Sequence, residues 1–493
     1  MLKKIFESTL IMGTSSILVM SLNLVRVKIL AVLLGPQGVG MLSILNHFHS
    51  VTSTIIGLGL GTGIVKYVAT FGSDNKYELQ KEILTNSFQI VFLISIVGFL
   101  FTFIFSTQLS EWMLGDKQYS SFIIIFAISF PLTVYPNITS SVLQGLKRIK
   151  HLALISVLRT AFSLVFIIPI VYFFRLKGVI FSVLIISSIH LILNHHFISK
   201  EGQQFVVNRW QLFNKNLLKK LFKYGITSLI VGTAYYLSHL LLKIIIVDSL
   251  GLEMNGIYQP IWALTMTYLA LVLSSMSAYS FPRLCELKSL DEINDELNGI
   301  IRVALLVIMP VMFLLLIART PIILLLYSSN FLPATEYMPI QIFGDFFKLI
   351  FWALGMYLLP TKRLAAFILL NLFIDFLLVG FAYIFVDKYQ LHGITASFAI
   401  SHALGFLALY IYSKNTISFQ FWAINRFLVF ASLGALILII TGERYLAFSS
   451  YIFSTVFVVC IWAFVSIRKM EILQLKEYCF SKFPINFVND RRI

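Results

Sequence analysis

The sequence predicts an all-α polytopic membrane protein with about fourteen transmembrane helices, arranged as two pseudo-symmetric six-helix bundles plus two C-terminal helices. Of its 493 residues, 58% are hydrophobic and only 12% are charged, and the mean hydropathy is +0.89. Soluble domains carry about 25% charged residues. The apolar residues fall in runs of about 18 to 28, and such a run crosses a bilayer core of about 30 Å at about 1.5 Å per residue.

Taken in order, the apolar runs predict fourteen spans. Lys3 and Lys4 precede a first run that is too long for a signal peptide, and no small-residue cleavage site follows it, so this run is predicted to be a transmembrane helix. Several spans contain proline, which membrane helices tolerate where neighbouring groups satisfy the freed backbone. The predicted spans are 8–34, 38–69, 80–106, 119–145, 151–174, 178–199, 224–249, 254–282, 298–318, 336–359, 364–386, 391–412, 427–441 and 446–466.

The distribution of positive charge predicts the orientation of the chain. With the N-terminus in the cytoplasm, 24 of the 38 Lys and Arg fall on cytoplasmic segments and 6 on outer loops. This bias is the positive-inside pattern, which places both termini in the cytoplasm. The net charge of +16 therefore reflects topology and contact with anionic lipid headgroups, and nucleic acid is not expected as a partner.

The two halves of the chain are related by a shift of 216 residues. This shift brings Gly35 onto Gly251 and Gly40 onto Gly256. Weak internal symmetry between six-helix halves is typical of transporters that hold their substrate between the repeats. The predicted organisation is a first bundle at 1–199, a basic cytoplasmic linker at 200–223, a second bundle at 224–415, and two extra helices with a cytoplasmic tail at 416–493.

The loops and motifs offer no active site. The outer loops are short, and the longest, 107–118 and 320–335, have room for a turn or a small helix but for no folded domain. The glycine-rich run Gly57–Gly63 follows no strand, so tight helix packing is the favoured interpretation over a phosphate loop. The histidines and the three cysteines lack metal-ligand spacing. We therefore expect no catalytic residues, no metal and no cofactor.

Charged residues inside the spans are the main candidates for function. Each costs roughly 2.5–3.5 kcal/mol at the centre of a membrane, so such residues are expected to face a wet cavity. A cavity rich in cations favours an anion, and Arg suits phosphate. The predicted substrate-binding residues are Arg26, Lys28, Lys66, Arg159, Lys243 and Lys348. Asp345 and Asp375 are the candidates for coupling transport to a proton or sodium gradient.

Each of these residues also has an interpretation without function. Lys66 lies within about a turn of its helix end and could extend to the interface. Asp345 and Lys348 are three residues apart on one helix and could neutralise each other. Arg26 and Lys28 project about 200° apart, so both cannot face the cavity squarely, and which of them does is left open.

Four segments carry a resemblance to a known family. They are KILAVLLGPQGVGML from Lys28, GIVKYVA from Gly63, LLLKIIIVDSLGLEMNGIYQP from Leu240 and GDFFKLIFWALGMYLLPTKR from Gly344. In this order, over residues 1–415, they resemble the polysaccharide-transporter family, which contains the Wzx-type O-antigen and lipid III flippases. That family belongs to the multidrug/oligosaccharidyl-lipid/polysaccharide (MOP) superfamily, and the resemblance implies a MATE/MOP-like fold.

The resemblance also implies a function. Such a flippase moves an undecaprenyl-pyrophosphate-linked oligosaccharide, an O-antigen or related surface polysaccharide repeat unit, from the cytoplasmic to the periplasmic leaflet of the bacterial inner membrane. Cation-lined lumens are described in the family, and Lys28, Lys66, Lys243 and Lys348 fall in matching segments. Membrane lipids and other polysaccharide-assembly proteins are the further partners implied. Two departures are Lys243, where Arg is commoner, and the final two helices.

Two other functions remain as alternatives. A cation-coupled multidrug exporter of the same superfamily would favour carboxylates and aromatic residues in its lumen. This chain has only two acids near mid-depth, against five bases, which are the predicted cations other than Lys66. A membrane glycan polymerase or ligase would need a sizeable outer loop with catalytic Arg or His, and the outer loops here are short.

Overall fold

The computed structural model is helical throughout the residues that it describes, which are 2–73, 77–202, 214–445 and 448–466. Thirteen α-helices, numbered in chain order, and two short 3-10 helices, Lys117–Tyr119 and Ser329–Phe331, make up this part of the chain. The α-helices are α1 Leu2–Gly57, α2 Leu60–Ser73, α3 Tyr77–Ile104, α4 Ser106–Leu114, α5 Ser120–Gly145, α6 Ile149–Ser199, α7 Lys215–Glu286, α8 Leu290–Ile317, α9 Arg319–Leu326, α10 Ala334–Gly355, α11 Leu364–Ile417, α12 Ala423–Tyr445 and α13 Phe448–Ser466.

Nine helices within the described residues are long and apolar enough to cross a membrane. Four of them are too long for a single crossing, and each contains one residue with non-helical backbone angles: Gly35 in α1, Arg175 in α6, Gly251 in α7 and Gln390 in α11. Each therefore comprises two spans joined by a tight bend, which raises the number to thirteen. With the apolar helix α13, the described chain contains the fourteen predicted spans.

The backbone repeats its conformation between the two halves. Gly35 and Gly251 have φ of 65° and 89° with ψ near 180°, and they are the two residues that the 216-residue shift aligns. Arg175 and Gln390 share φ near 50° and ψ near −130°. Each half also places a short helix and a 3-10 helix in its longest predicted outer loop. The predicted pseudo-symmetry and the small helices in those loops are confirmed.

Contacts divide the chain into two compact units. The larger unit contains Met1–Leu264, Thr320–Gly344 and Lys362–Gly405, and the smaller contains Thr265–Arg319, Asp345–Thr361 and Phe406–Ile493. The predicted linker at 200–223 lies partly outside the described residues, and its last part already belongs to α7. The predicted tail beyond residue 466 also lies outside them. The division into bundles at 1–199 and 224–415 stays a prediction.

In the larger unit, α1 and α7 touch through backbone where they bend. A Cβ atom on Gly40 would overlap the carbonyl oxygen of Leu252, and one on Gly256 would overlap that of Pro36. The Asn255 amide donates to the Gly40 carbonyl at 2.8 Å. Helices in lipid associate mainly through close packing, so small residues stand where two backbones meet.

In the smaller unit, an asparagine pair attaches α12 to α8. Asn425 donates to the backbone carbonyl of Asn298 at 2.7 Å, and the Asn298 side chain accepts from the backbone N–H of Trp422 at 2.8 Å. Near the other end, the Trp462 ring of α13 meets Phe313 of α8 edge-on, with ring centroids 5.3 Å apart. Both C-terminal helices therefore rest on α8.

We expect Gly256→Ala to destabilise the protein by about 2 kcal/mol or more, because the added methyl group overlaps backbone that cannot rotate away. The measurement is the melting temperature of the purified protein in detergent. Gly299→Ala is the matched control, because a Cβ atom there meets nothing within 4 Å. Equal melting temperatures for the two variants would contradict the backbone contact.

Candidate functional site

Two arginines, Arg26 and Arg159, form a cation cluster in the larger unit, and His190 lies beside them. Arg26 lies on α1 before its bend, Arg159 lies on the first part of α6, and His190 lies on the second part of α6. The positive charge of Arg159 acts on both Arg26 and His190. Neither arginine forms an ion pair with any carboxylate that the structure describes, and Nε of Arg26 is buried without an acceptor there. Cations and buried donors without protein acceptors are suited to holding an anion.

His190 was not predicted as a site residue. It interrupts the apolar run of the sixth span, and an ionisable ring there is a signal of the kind used for Lys, Arg and Asp. Metal-ligand spacing, the property that first draws attention to histidines, gives no reason to select His190. Within the described residues, no group of three His, Cys, Asp or Glu side chains could hold a metal ion.

Lys28 lies close to this cluster in sequence but is directed elsewhere. Its Nζ donates to the carbonyl oxygen of Leu324 at 2.6 Å and to that of Tyr327. These carbonyls lie at the C-terminal end of α9, where backbone oxygens lack helical partners and attract a cation. Lys28 thus joins α1 to α9, a helix of a predicted outer loop, whereas Arg26 is influenced by the charge of Arg159 on α6.

Lys243 is enclosed. Its side chain is 1% exposed, and Nζ donates to Oε1 of Gln259 at 2.8 Å and to Oγ of Ser43 at 3.4 Å. The rings of Tyr258 and Trp262 have their centroids 5.5 Å and 5.3 Å from the ammonium, within range of a cation–π interaction. Ser43 also accepts from the Asn255 amide, so this polar group adjoins the glycine contact between α1 and α7.

The two candidate coupling carboxylates lie in different units. Asp375 accepts from Ser238 Oγ at 2.8 Å, which links α11 to α7 in the larger unit. Asp345 lies in the smaller unit, is fully buried, and accepts from Thr265 at 3.0 Å and from Tyr268 at 2.6 Å. The structure shows no ion pair between Asp345 and Lys348 in its described part, although the charge of Lys348 acts on the carboxylate.

The remaining predicted cations are more open. Lys66 is exposed, and its Nζ lies 5.8 Å from the centroid of the Tyr67 ring. Lys348 is half-buried, with Nζ 3.8 Å from the sulfur of Met266. Of the eight predicted site residues, six lie in the larger unit, and only Asp345 and Lys348 lie in the smaller. The structure brings Arg26 and Arg159 together and gives Lys28 and Lys243 separate partners.

Comparison with known proteins gives consistent results. Residues 29–336 match the family described as polysaccharide biosynthesis protein. The chain is 21% identical over 408 residues to the lipid III flippase of Escherichia coli, covering 82% of this chain and 95% of that protein. It is 22% identical over 419 residues to an uncharacterized membrane protein of Methanocaldococcus jannaschii, covering 79% of this chain and 78% of that protein.

A solved structure shares the fold. An inward-facing multidrug resistance MATE family transporter of the MOP superfamily superimposes with a TM-score of 0.70 at 15% identity, covering 80% of this chain and 94% of that chain. The predicted MATE/MOP-like fold is therefore confirmed.

We expect Lys243→Ala to lower the free energy of unfolding by roughly 2–4 kcal/mol, because it empties a closed space and removes the donor to Gln259. Arg159→Ala should change stability little, because that side chain is exposed. Thermal unfolding of both variants beside the exposed-lysine control Lys219→Ala measures the difference. A Lys243 variant as stable as the control would show that the ammonium is not a packing element.

Proposed function

The chain belongs to the polysaccharide biosynthesis protein family, and from this premise we propose that it is a flippase for lipid-linked oligosaccharides. It is a multi-pass membrane protein with the fold of transporters. The proposed substrate is an undecaprenyl-pyrophosphate-linked oligosaccharide, an O-antigen or related surface polysaccharide repeat unit. The proposed direction is from the cytoplasmic to the periplasmic leaflet of the bacterial inner membrane, with both termini in the cytoplasm.

The observation that carries the proposal is the Arg26–Arg159 pair. Two guanidinium groups without a carboxylate partner in the described chain leave several N–H donors for an anion. A pyrophosphate offers oxygens that planar guanidinium forks bind in pairs, and such charge-assisted bonds are the strongest that side chains make. This set of residues suits a phosphorylated substrate better than the cationic drug of an exporter.

The repeated halves support alternating access. On one side of the predicted membrane, the glycine contact of α1 with α7 and the bonds of Lys28 to the end of α9 hold elements of the two halves together. We propose that these contacts close the periplasmic side while the pyrophosphate enters from the cytoplasm, and that they part when the halves rock. The polyprenyl chain would stay in lipid while the sugars cross the wet lumen.

We propose no cofactor, but we propose that transport is coupled to a proton or sodium gradient. Asp375 and Asp345 are each held by hydroxyl groups of neighbouring helices, Asp375 by Ser238 and Asp345 by Thr265 and Tyr268. A carboxylate held in this way can take up a proton or a sodium ion and change its hydrogen bonds on doing so. Other polysaccharide-assembly proteins are the proposed protein partners, since they would supply and use the lipid-linked glycan.

The first test is flipping of a fluorescent polyprenyl-pyrophosphate-linked oligosaccharide in proteoliposomes. We expect Arg159→Ala to slow flipping about tenfold or more, because a lost charge-assisted hydrogen bond is worth roughly 1.5–3 kcal/mol. Lys219→Ala, which removes an exposed lysine, should leave the rate unchanged.

One result would contradict the proposed site, and another would reject the proposed function. The first is unaltered flipping by Arg159→Ala at equal protein levels, which would remove the cation cluster from the substrate path. The second is no flipping by the unaltered protein together with export of a cationic dye from the same vesicles, which would favour a drug exporter.

A separate measurement tests coupling. We expect Asp375→Asn to abolish the acceleration of flipping by a proton or sodium gradient, because the amide keeps a bond to Ser238 but cannot be ionised. Flipping without a gradient should persist. A variant that responds to both gradients as strongly as the unaltered protein would exclude Asp375 from coupling.

A further inference from the structure

A cavity in the larger unit borders a break in the second predicted span. Leu58 and Gly59 separate α1 from α2, with φ of 51° and 66°, in the left-handed region. Beside them lies a cavity of about 110 Å³. A single buried water needs about 10–15 Å³ on this measure, so the cavity has room for about eight waters, comparable to one sugar ring. It is lined by the C-terminal end of α1, the start of α2, Val91 of α3, and α5.

The polar groups of this lining are neutral. They are Ser53, Thr133, Asn137 and Ser141, and no charged side chain lines the cavity. The Asn137 side chain is exposed and has no hydrogen-bond partner within the described chain. The Asn137 amide can both donate and accept, while the Thr133 and Ser141 hydroxyls donate to their own helix backbone and can still accept. This surface can therefore bind the hydroxyls of a neutral sugar. It offers no charge to hold a phosphate.

The glycines of the run Gly57–Gly63 beside the cavity have two different structural roles, helix packing and cavity lining. A Cβ atom on Gly59 would overlap the Gly225 carbonyl of α7, and one on Gly63 would lie 3.1 Å from the Leu221 carbonyl, so the predicted tight packing is confirmed for these two. Gly57 and Gly61 line the cavity. A Cβ atom on Gly57 would meet nothing within 4 Å, and one on Gly61 would meet only Ser141 Oγ, at 3.2 Å. Packing therefore does not account for Gly57, whose missing side chain keeps the cavity open.

We propose that this cavity is a sugar subsite, which binds one neutral sugar of the glycan while the pyrophosphate occupies the Arg26–Arg159 pair. The inference rests on the proposed function and adds a second recognition element to it. Asn137 lies eight residues before the end of α5 at Gly145, which is about 12 Å along the helix. With both termini in the cytoplasm, this is the cytoplasmic half of the membrane, where the glycan would enter.

The test compares binding of two fluorescent probes to the detergent-solubilised full chain. One probe is undecaprenyl pyrophosphate that carries a neutral trisaccharide, and the other is undecaprenyl pyrophosphate without sugar. The unaltered protein should bind the first more tightly. Asn137→Ala should weaken binding of the first probe about three- to tenfold, the effect of one lost neutral hydrogen bond, and leave the second unchanged.

A second variant tests the space itself. Gly57→Leu should fill the cavity and weaken binding of the trisaccharide probe at least as much as Asn137→Ala does. The matched control is Gly434→Leu on α12, which also has nothing within 4 Å of an added Cβ atom. Melting temperatures of all variants show whether each is folded, and Asn137→Ala decides the question if Gly57→Leu is not.

The outcomes separate the two proposals. Equal affinity of the unaltered protein for both probes, or losses for both probes in the variants, would overturn the sugar subsite and leave the flippase proposal standing. Binding of neither probe by the unaltered protein would instead reject the proposed function. A loss confined to the trisaccharide probe would support the subsite.

Discussion

The close approach of two backbones at Gly40 and Gly256 is the constraint on which much of the larger unit depends. In lipid, helices gain little from burying apolar surface against each other, because the lipid chains are equally apolar. Close packing and hydrogen bonds must then hold them together. Without Cβ atoms, the backbones of α1 and α7 come near enough for the Asn255 amide to reach the Gly40 carbonyl. This contact fixes α1, which carries Arg26, and α7, which carries Lys243.

The charges within the membrane fall into two groups by their surroundings. Lys28, Lys243 and Asp345 each have hydrogen-bond partners in the protein: helix-end carbonyls for Lys28, a cage of polar and aromatic groups for Lys243, and two hydroxyls on one carboxylate oxygen of Asp345. A buried charge is costly unless it has such partners. Arg26 and Arg159 have no carboxylate partner in the described chain, and they also repel each other. The half-buried Arg26, with its unpaired Nε, therefore lacks a counter-charge in the described chain, and an anionic ligand held between it and the exposed Arg159 would supply one.

Much of the fold could be predicted because its signals are local and periodic. The length of the apolar runs predicts the membrane spans, and the glycines that align between the two halves predict the internal repeat. The bends at Arg175 and Gln390 lie in the short gaps between predicted spans, so run length predicts their positions. It does not predict their shared backbone conformation, because two different residues adopt it. The break at Leu58 is not predicted, since an apolar residue inside an apolar run predicts continued helix.

The sequence identified the charged residues of the site, but it could not tell which of them have partners in the protein. The depth of a residue along its helix shows whether it lies near the interface or near the membrane centre, but it does not show which residue of another helix it contacts. The acceptors of Lys28 lie 296 and 299 residues away. The partners of Lys243 are neutral residues that carry no signal of their own, and His190 lacks the spacing that would mark it as a metal ligand.

The long separation between Lys28 and its acceptors has a consequence for biogenesis. Ribosomes add about 5–20 residues per second, so roughly 15–60 s pass between synthesis of Lys28 and synthesis of α9. During that interval the ammonium has no helix end to bind, and water, headgroups or the insertion machinery must solvate it. The first helix is therefore expected to settle at its final depth only after about half of the second bundle has been made, so that assembly of the two halves is coupled in time.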